Sequence, residues 1–148
     1  MSATASSRFI NVSSCAFTRK SGGSVTINTV QAVLLGKRGK QIQASGDADF
    51  YPTLSVTVGA APLIVIKHQN AGLLNTLDER TLGSSFSFTS NDAINGAGTG
   101  AVTYTLSNCH VVSHEADAQH QALGSCTLTL SAYSSDGQTS PLAMSIAV

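Results

Sequence analysis

Alternation of apolar and polar positions dominates the chain. Ser24-Val25-Thr26-Ile27-Asn28 alternates, and the apolar stretch Val30 to Leu35 follows it. The same period of two recurs in Leu54-Ser55-Val56-Thr57-Val58, in Phe86-Ser87-Phe88-Thr89, in Val102-Thr103-Tyr104-Thr105-Leu106 and, most clearly, from Cys126 to Tyr133. Pro62 to Lys67 is an apolar run of strand length. A period of two sends successive side chains to opposite faces of a pleated strand, so each run has one face to bury. Thr, Val and Ile suit such half-buried surfaces. Turn-forming clusters separate the runs: Ser21-Gly22-Gly23, Gly36-Lys37-Arg38-Gly39, Ser45-Gly46-Asp47, Asn95-Gly96-Ala97-Gly98 and Asp136-Gly137. Many short strands at this spacing predict a mainly β fold, an antiparallel β-sandwich or barrel.

One segment departs from the alternation. Between Asn70 and Arg80, Leu73, Leu74 and Leu77 fall on one face of a helix, with Asn70 placed as its N-cap. This predicts one short flanking α-helix of roughly two to three turns, its leucines packed over an open end of the barrel. Glu115 to Leu123 reads as a second weak helix or a loop. Residues 1–8 are small and polar apart from Arg8, and read as a flexible N-terminal arm. Residues 36–51 read as an extended, turn-rich loop. No internal repeat or long linker interrupts the chain, so residues 1–148 are expected to form a single domain.

Composition sharpens this. The chain has 148 residues, of which 42% are hydrophobic and only 11% charged, with zero formal net charge. That balance excludes disorder of the whole chain. The longest apolar run, Ala60 to Ile66, is far short of the ~20 residues that span a bilayer, so no membrane is expected as a partner. The opening MSATASSRF has no apolar core of a secretory signal. Three cysteines, Cys15, Cys109 and Cys126, suggest buried thiols rather than a disulfide framework. Ser and Thr account for 36 residues, so the surface is polar but scarcely charged, against a usual charged fraction of ~25%. A monomer of this kind is poorly protected against association, and the composition points to a surface covered by copies of the same chain.

Charge is also segregated. Up to Gly46 there are six bases (Arg8, Arg19, Lys20, Lys37, Arg38, Lys40) and no acid. From Asp47 onward eight acids stand against Lys67 and Arg80. There is no overall basic excess and no basic cluster with interleaved aromatics, as specific nucleic-acid binding would require. Head-to-tail contact between copies would use the segregation without another partner.

The candidate chemistry is thin. His110, His114 and His120 lie close to Glu115, Asp117, Cys109 and Cys126, but there is no C-x-x-C or H-E-x-x-H spacing for zinc. The three histidines are therefore expected to face solvent or an interface. No G-x-S-x-G elbow is present, and Cys126 shares the alternating face of Leu128 and Leu130, as a core thiol does. Gly96-Ala97-Gly98-Thr99-Gly100 lacks the pattern and the following helix of a phosphate loop, and reads as a hairpin tip. Asp47 and Asp49 form a carboxylate pair, but the chain has no Trp for sugar stacking, and a solvated acidic turn is the expectation. No catalytic residue, cofactor or metal is expected, and the chain does not read as an enzyme.

The order of the parts carries a resemblance. A polar arm leads into strands, and the long stretch Gly36 to Tyr51 with Lys37, Arg38, Lys40, Asp47 and Asp49 follows. Further strands, the short helix at Ala71–Arg80, the stretch Thr81-Leu82-Gly83-Ser84-Ser85-Phe86-Ser87-Phe88 and the strand-rich end Ser125–Ala132 complete it. Over most of its length the chain resembles the tail tube proteins of long-tailed bacteriophages and the related tube subunits of contractile injection systems. The resemblance implies a subunit that associates with itself, usually in hexameric rings that stack into a hollow tube for DNA. It implies other virion tail proteins as partners, a place in the virion tail, and assembly in the host cytoplasm. It also implies that Arg8, Lys37, Arg38, Lys40, Asp47 and Asp49 make contacts between subunits, with 36–51 reaching a neighbouring ring. A capsid decoration or head–tail joining protein would share the composition, as would an adhesive or carbohydrate-binding β-sandwich.

Overall fold

The structure is a computed structural model that describes residues 9–12, 15–92 and 102–146. Its strands are β1 (Phe9–Val12), β2 (Cys15–Arg19), β3 (Ser24–Ile27), β4 (Val30–Ala44), β5 (Leu54–His68), β6 (Leu82–Asp92), β7 (Val102–Asp117), β8 (Ser125–Ala132) and β9 (Leu142–Ile146), and its one helix is α1 (Leu73–Thr76). All pairings are antiparallel, in the order β3-β2-β6-β7-β8-β5-β4, with β1 beside β6 and β9 beside β7. The mainly β expectation therefore holds: the open antiparallel sheet folds into a sandwich with very little helix.

The longest strand makes the fold. The N-terminal half of β7 lies between β6 and β9, whereas its C-terminal half pairs with β8. Inward-facing residues then meet in one cluster: Phe17 of β2, Ile64 and Ile66 of β5, Phe86 of β6, Leu106 and Val111 of β7, and Leu128 and Leu130 of β8. Within β5 and β8 these residues sit at every second position, as the period of two requires. Gly83 permits the closest approach in the core. A Cβ there would lie 2.5 Å from Phe17 Cζ and 2.8 Å from Cys109 Sγ.

The helix is shorter than its sequence pattern suggests. It has one turn, and its N-cap residue is Gly72 rather than Asn70. Asn70 instead accepts a hydrogen bond from the Gly72 N–H through Oδ1 at 3.1 Å, two residues on. The helix stops because Asp78 takes the backbone for itself. Its Oδ1 accepts from the Arg80 N–H at 2.9 Å and from the Thr81 hydroxyl at 3.0 Å, a local turn that competes with helix. Leu73 and Leu77 still pack into the core, as the leucine spacing predicts. Glu115 to Asp117 belong to β7 and a loop follows to Gly124, so the second helical segment does not form. The arm at 1–8 and the glycine tip at 96–100 lie outside the described residues.

The larger difference concerns 36–51. Gly36 to Ala44 continue β4, paired with β5 from Leu63 back to Leu54, and only residues 45–53 turn. The Gly36-Lys37-Arg38-Gly39 turn signal is absorbed as a bulge. Between the pairs Arg38–Ala61 and Lys40–Val58, β4 has one residue and β5 has two. The extra residue is accommodated at Gly59, whose φ of +62° is left-handed and favours glycine. Two runs that the sequence separates, Leu54–Val58 and Pro62–Lys67, thus become one strand.

Candidate assembly surface

The β4–β5 hairpin has a proximal half built into the sandwich and a distal half that pairs only with itself. In the proximal half, Ile64 and Ile66 are buried, and Val33 and Leu35 opposite them pack against the core. Beyond the bulge every residue of the hairpin is exposed. This distal half is the arm.

Cross-strand partners share a face. In the arm, Ile42 with Val56, Ala44 with Leu54, and Lys40 with Val58 form one face. Gln41 with Thr57 and Gln43 with Ser55 form the other. The polar face is hydrogen-bonded along itself: Gln41 Nε2 donates to Thr57 Oγ1 at 2.7 Å, and Ser55 Oγ donates to Gln41 Oε1 at 3.4 Å. The apolar face has no such closure, and Ile42 is 52% exposed. On β4 the even-numbered residues from Ala32 to Ala44 stay on one side, so the pleat makes this face continuous with Leu34, with Arg38 and Lys40 in between, away from the core. On β5 the extra residue at the bulge exchanges faces, which moves Leu54, Val56 and Val58 to that same outer side. The result is an apolar stripe running out along the sheet, of the kind that marks an interaction surface.

The tip is held in shape by its own acid. The Gly46 N–H donates to Asp49 Oδ2 at 3.0 Å, and the Asp49 N–H donates to Gly46 O at 3.2 Å. The Thr53 N–H then donates to Ala44 O at 2.9 Å, closing the turn. Phe50 and Tyr51 stand beside it with ring centroids 5.2 Å apart, and Phe50 is 92% exposed. Nothing in the sequence pattern singled out these two aromatics, because they fall in a turn rather than in an alternating run.

The structure brings five of the six predicted contact residues onto this one hairpin. Lys37, Arg38 and Lys40 lie on β4 around the bulge, and Asp47 and Asp49 lie in the turn. The hairpin therefore has a basic stem and an acidic tip, separated by about 14 Å of strand from Lys40 to Ala44. Asp49 also shapes the turn, through its Oδ2. Lys37 and Arg38 also line a cleft of about 430 Å³ between the bulge and the β8–β9 loop, with Tyr133 and Pro141 on its far wall. That loop is fixed by Asp136, whose carboxylate accepts from the Gln138 and Thr139 N–H groups and from the Ser134 and Thr139 hydroxyls. Those hydrogen bonds hold Asp136 well below the usual carboxylate range. Arg8 lies outside the described residues.

The cysteines are packed away from this surface. Burial pushes the Cys15 thiol up to about 12 and the Cys109 thiol up to about 11, where neither is nucleophilic near neutrality. Cys126 is buried, as the alternation predicts. Among the described residues, no three His, Cys, Asp or Glu side chains are grouped to hold a metal. Nor is any described helix long and apolar enough to cross a membrane. Of the three histidines expected at solvent or an interface, His120 is exposed. His110 and His114 are half-buried, while the fourth, His68, is wholly buried and was not signalled by spacing.

No protein-family model matches the chain, and no curated protein matches it. Solved structures do. A chain of the anti-feeding prophage baseplate, in a six-fold symmetrised cryo-EM structure, superposes with a TM-score of 0.52 at 15% identity, covering 98% of this chain and 97% of that one. A chain of the tail of an empty GTA particle, with C6 symmetry, gives 0.46 at 12% identity over 91% and 95%. The Hcp1 protein of E. coli EAEC 042 gives 0.45 at 13% identity over 93% and 98%. The first of these establishes a shared fold over essentially the full length of both chains.

Proposed function

We propose that this chain is a non-enzymatic structural subunit of a phage-like tail tube. Copies associate into rings, the rings stack, and the hollow stack conducts DNA without binding a particular sequence. The place of work is the virion tail, after assembly in the host cytoplasm, with other tail proteins at the ends of the tube. No cofactor is required.

The carrying observation is the arm. The distal half of the hairpin buries none of its own residues yet presents Ile42, Leu54, Val56 and Val58 on one face, a surface suited to cover by another chain. β4 ends the strand order, so the same element also offers a sheet edge to a neighbour. The shared fold supports the reading, since the matching chain comes from a six-fold symmetrised baseplate. Basic stem and acidic tip give the contact a direction, because a stem in one copy attracts a tip in the next. Lys37, Arg38 and Lys40 act on the stem and Asp47 and Asp49 on the tip, with Arg8 as a further base.

Negative-stain electron microscopy of the purified chain across concentration and salt tests the proposal. Rings or tubes with a central hole are the expected result. A uniform field of monomers or trimers overturns it in favour of a capsid decoration or adhesive protein. Charge reversal tests the stem separately. Replacing Lys37, Arg38 and Lys40 by Glu should shorten the tubes at low salt while leaving far-UV circular dichroism unchanged. Unaltered tube length would remove these three residues from the contact.

A further inference from the structure

A chain of hydrogen bonds through two imidazoles ties three parts of the fold together at the end of β5 remote from the arm. His68, the last residue of β5, is fully buried. Its Nδ1 lies 3.1 Å from the Asn70 N–H, which can only donate. That fixes Nδ1 as an acceptor and leaves the ring proton of neutral His68 on Nε2. His68 Nε2 lies 2.9 Å from His114 Nε2 on β7. His114 must therefore accept there and carry its proton on Nδ1, which lies 2.7 Å from the Leu77 carbonyl oxygen, a pure acceptor. The proton placements are determined from both ends, and they agree. Every nitrogen of the two rings has one partner, with both rings neutral.

A third proton does not fit. On His114 Nε2 it would face the Nε2–H of His68, donor against donor. If His68 changed tautomer to receive it, its Nδ1–H would face the Asn70 N–H instead. Either way one buried hydrogen bond is lost, and a positive charge stands beside a ring held out of water. Burial, and then the neighbouring His114, already lower the affinity of His68 for a proton.

Among the described residues packed against the pair, none supplies a counter-charge. From β8, Cys126 is the cross-strand neighbour of His68, and Leu128 is that of His114. From β4, Val30 pairs with His68. On β5 Lys67 is exposed, and on β7 Glu115 and Asp117 are exposed, while His110 lies four residues before His114 on the same strand. Beyond Leu77, the Asp78 carboxylate is taken up by Arg80 N–H and Thr81. Among the described residues, no third His, Cys, Asp or Glu completes a ligand set with the pair.

We propose that the chain His68–His114–Leu77 is an acid-released fastener: it holds the segment 70–77, with α1, on the sheet while the pair shares two ring protons, and lets that segment open when the pair takes a third. The sign follows from linkage. A histidine whose folded-state affinity for protons lies below its unfolded value stabilises the closed form above the ordinary value of 6.5. That stability drains as pH falls below it. The opening is local, because Leu73 and Leu77 are the residues it releases while the strand core stays paired.

Nitrogen NMR of the imidazoles and amide hydrogen exchange, on the full chain from about pH 8 to about pH 5, test this. The expected tautomers at high pH are Nε2–H for His68 and Nδ1–H for His114. Protection of amides 72–77, corrected for the intrinsic pH dependence of exchange, should fall relative to β7 by up to ~10-fold per pH unit below 6.5. In the double variant His68→Leu, His114→Asn, the ratio should stay flat, since neither introduced side chain titrates and the new carboxamide can still donate to Leu77. Opposite tautomers, a flat ratio in the natural chain, or a falling one in the variant would each overturn the proposal. If the double variant does not fold, the tautomers and the exchange of the natural chain decide the matter alone.

Discussion

The two halves of β5 carry the same alternation and meet opposite fates. From Pro62 to His68, every second residue is buried against Leu128, Leu130 and the rest of the core. From Leu54 to Ala60 the alternation continues, yet all seven residues are exposed. Gly59 stands between them. One extra residue there turns Leu54, Val56 and Val58 to the side of the sheet that the chain itself does not cover. A period of two thus certifies a strand and one apolar face. It does not say whether the cover for that face comes from the same chain.

The comparison predicts that equal chemistry will have unequal consequences in the two regions. The largest effect belongs to the core. Phe86→Ala removes a ring with no exposure and should cost ~3–5 kcal/mol, read as a lower urea midpoint with an unchanged slope. Gly83→Ala should cost less, ~1–3 kcal/mol, because the added methyl must displace Phe17 and Cys109 rather than leave a void. If Gly83→Ala leaves the midpoint unmoved, the core is looser at that point than its distances indicate.

Much of the body was legible in the sequence for a physical reason. Strands β3, β6, β7 and β8 bury one face against the chain's own residues, so their pattern is a direct image of their packing. Strands β1, β2 and β9 were not visible, because none of their short stretches alternates apolar with polar residues along its length, as the equally short β3 does. The helix was legible by its leucines but not by its length, since Asp78 ends it through a local turn. In the candidate surface, the charged residues could be named from sequence, and five of them do share one hairpin. Their setting could not. Gly36-Lys37-Arg38-Gly39 has the composition of a turn, and only pairing with Val58 and Ala61 makes it a bulged strand. His68 was invisible for a similar reason. Its partners lie 46 residues away on His114 and just beyond β5 on Asn70, and no local spacing encodes that meeting.

The smallest effect on stability should accompany the largest on association. Ile42 and Val56 face each other across the arm, and both are exposed in the isolated chain. Replacing both by Thr keeps the β-branched shape and the strand propensity at both positions. It exchanges apolar surface for hydroxyls that water already satisfies. The unfolding midpoint of the monomer should therefore stay within ~0.5 kcal/mol of the natural value. Ring or tube formation, followed by light scattering at matched concentrations, should fall sharply. In an assembled stack the stripe would be desolvated, and each hydroxyl would then be buried without a partner. A variant that assembles like the natural chain would show that the stripe stays wet in the assembly and that the charges on stem and tip carry the contact. A variant that loses stability as well would show that the arm folds back on its own body in solution, which would erase the difference between the two halves of β5.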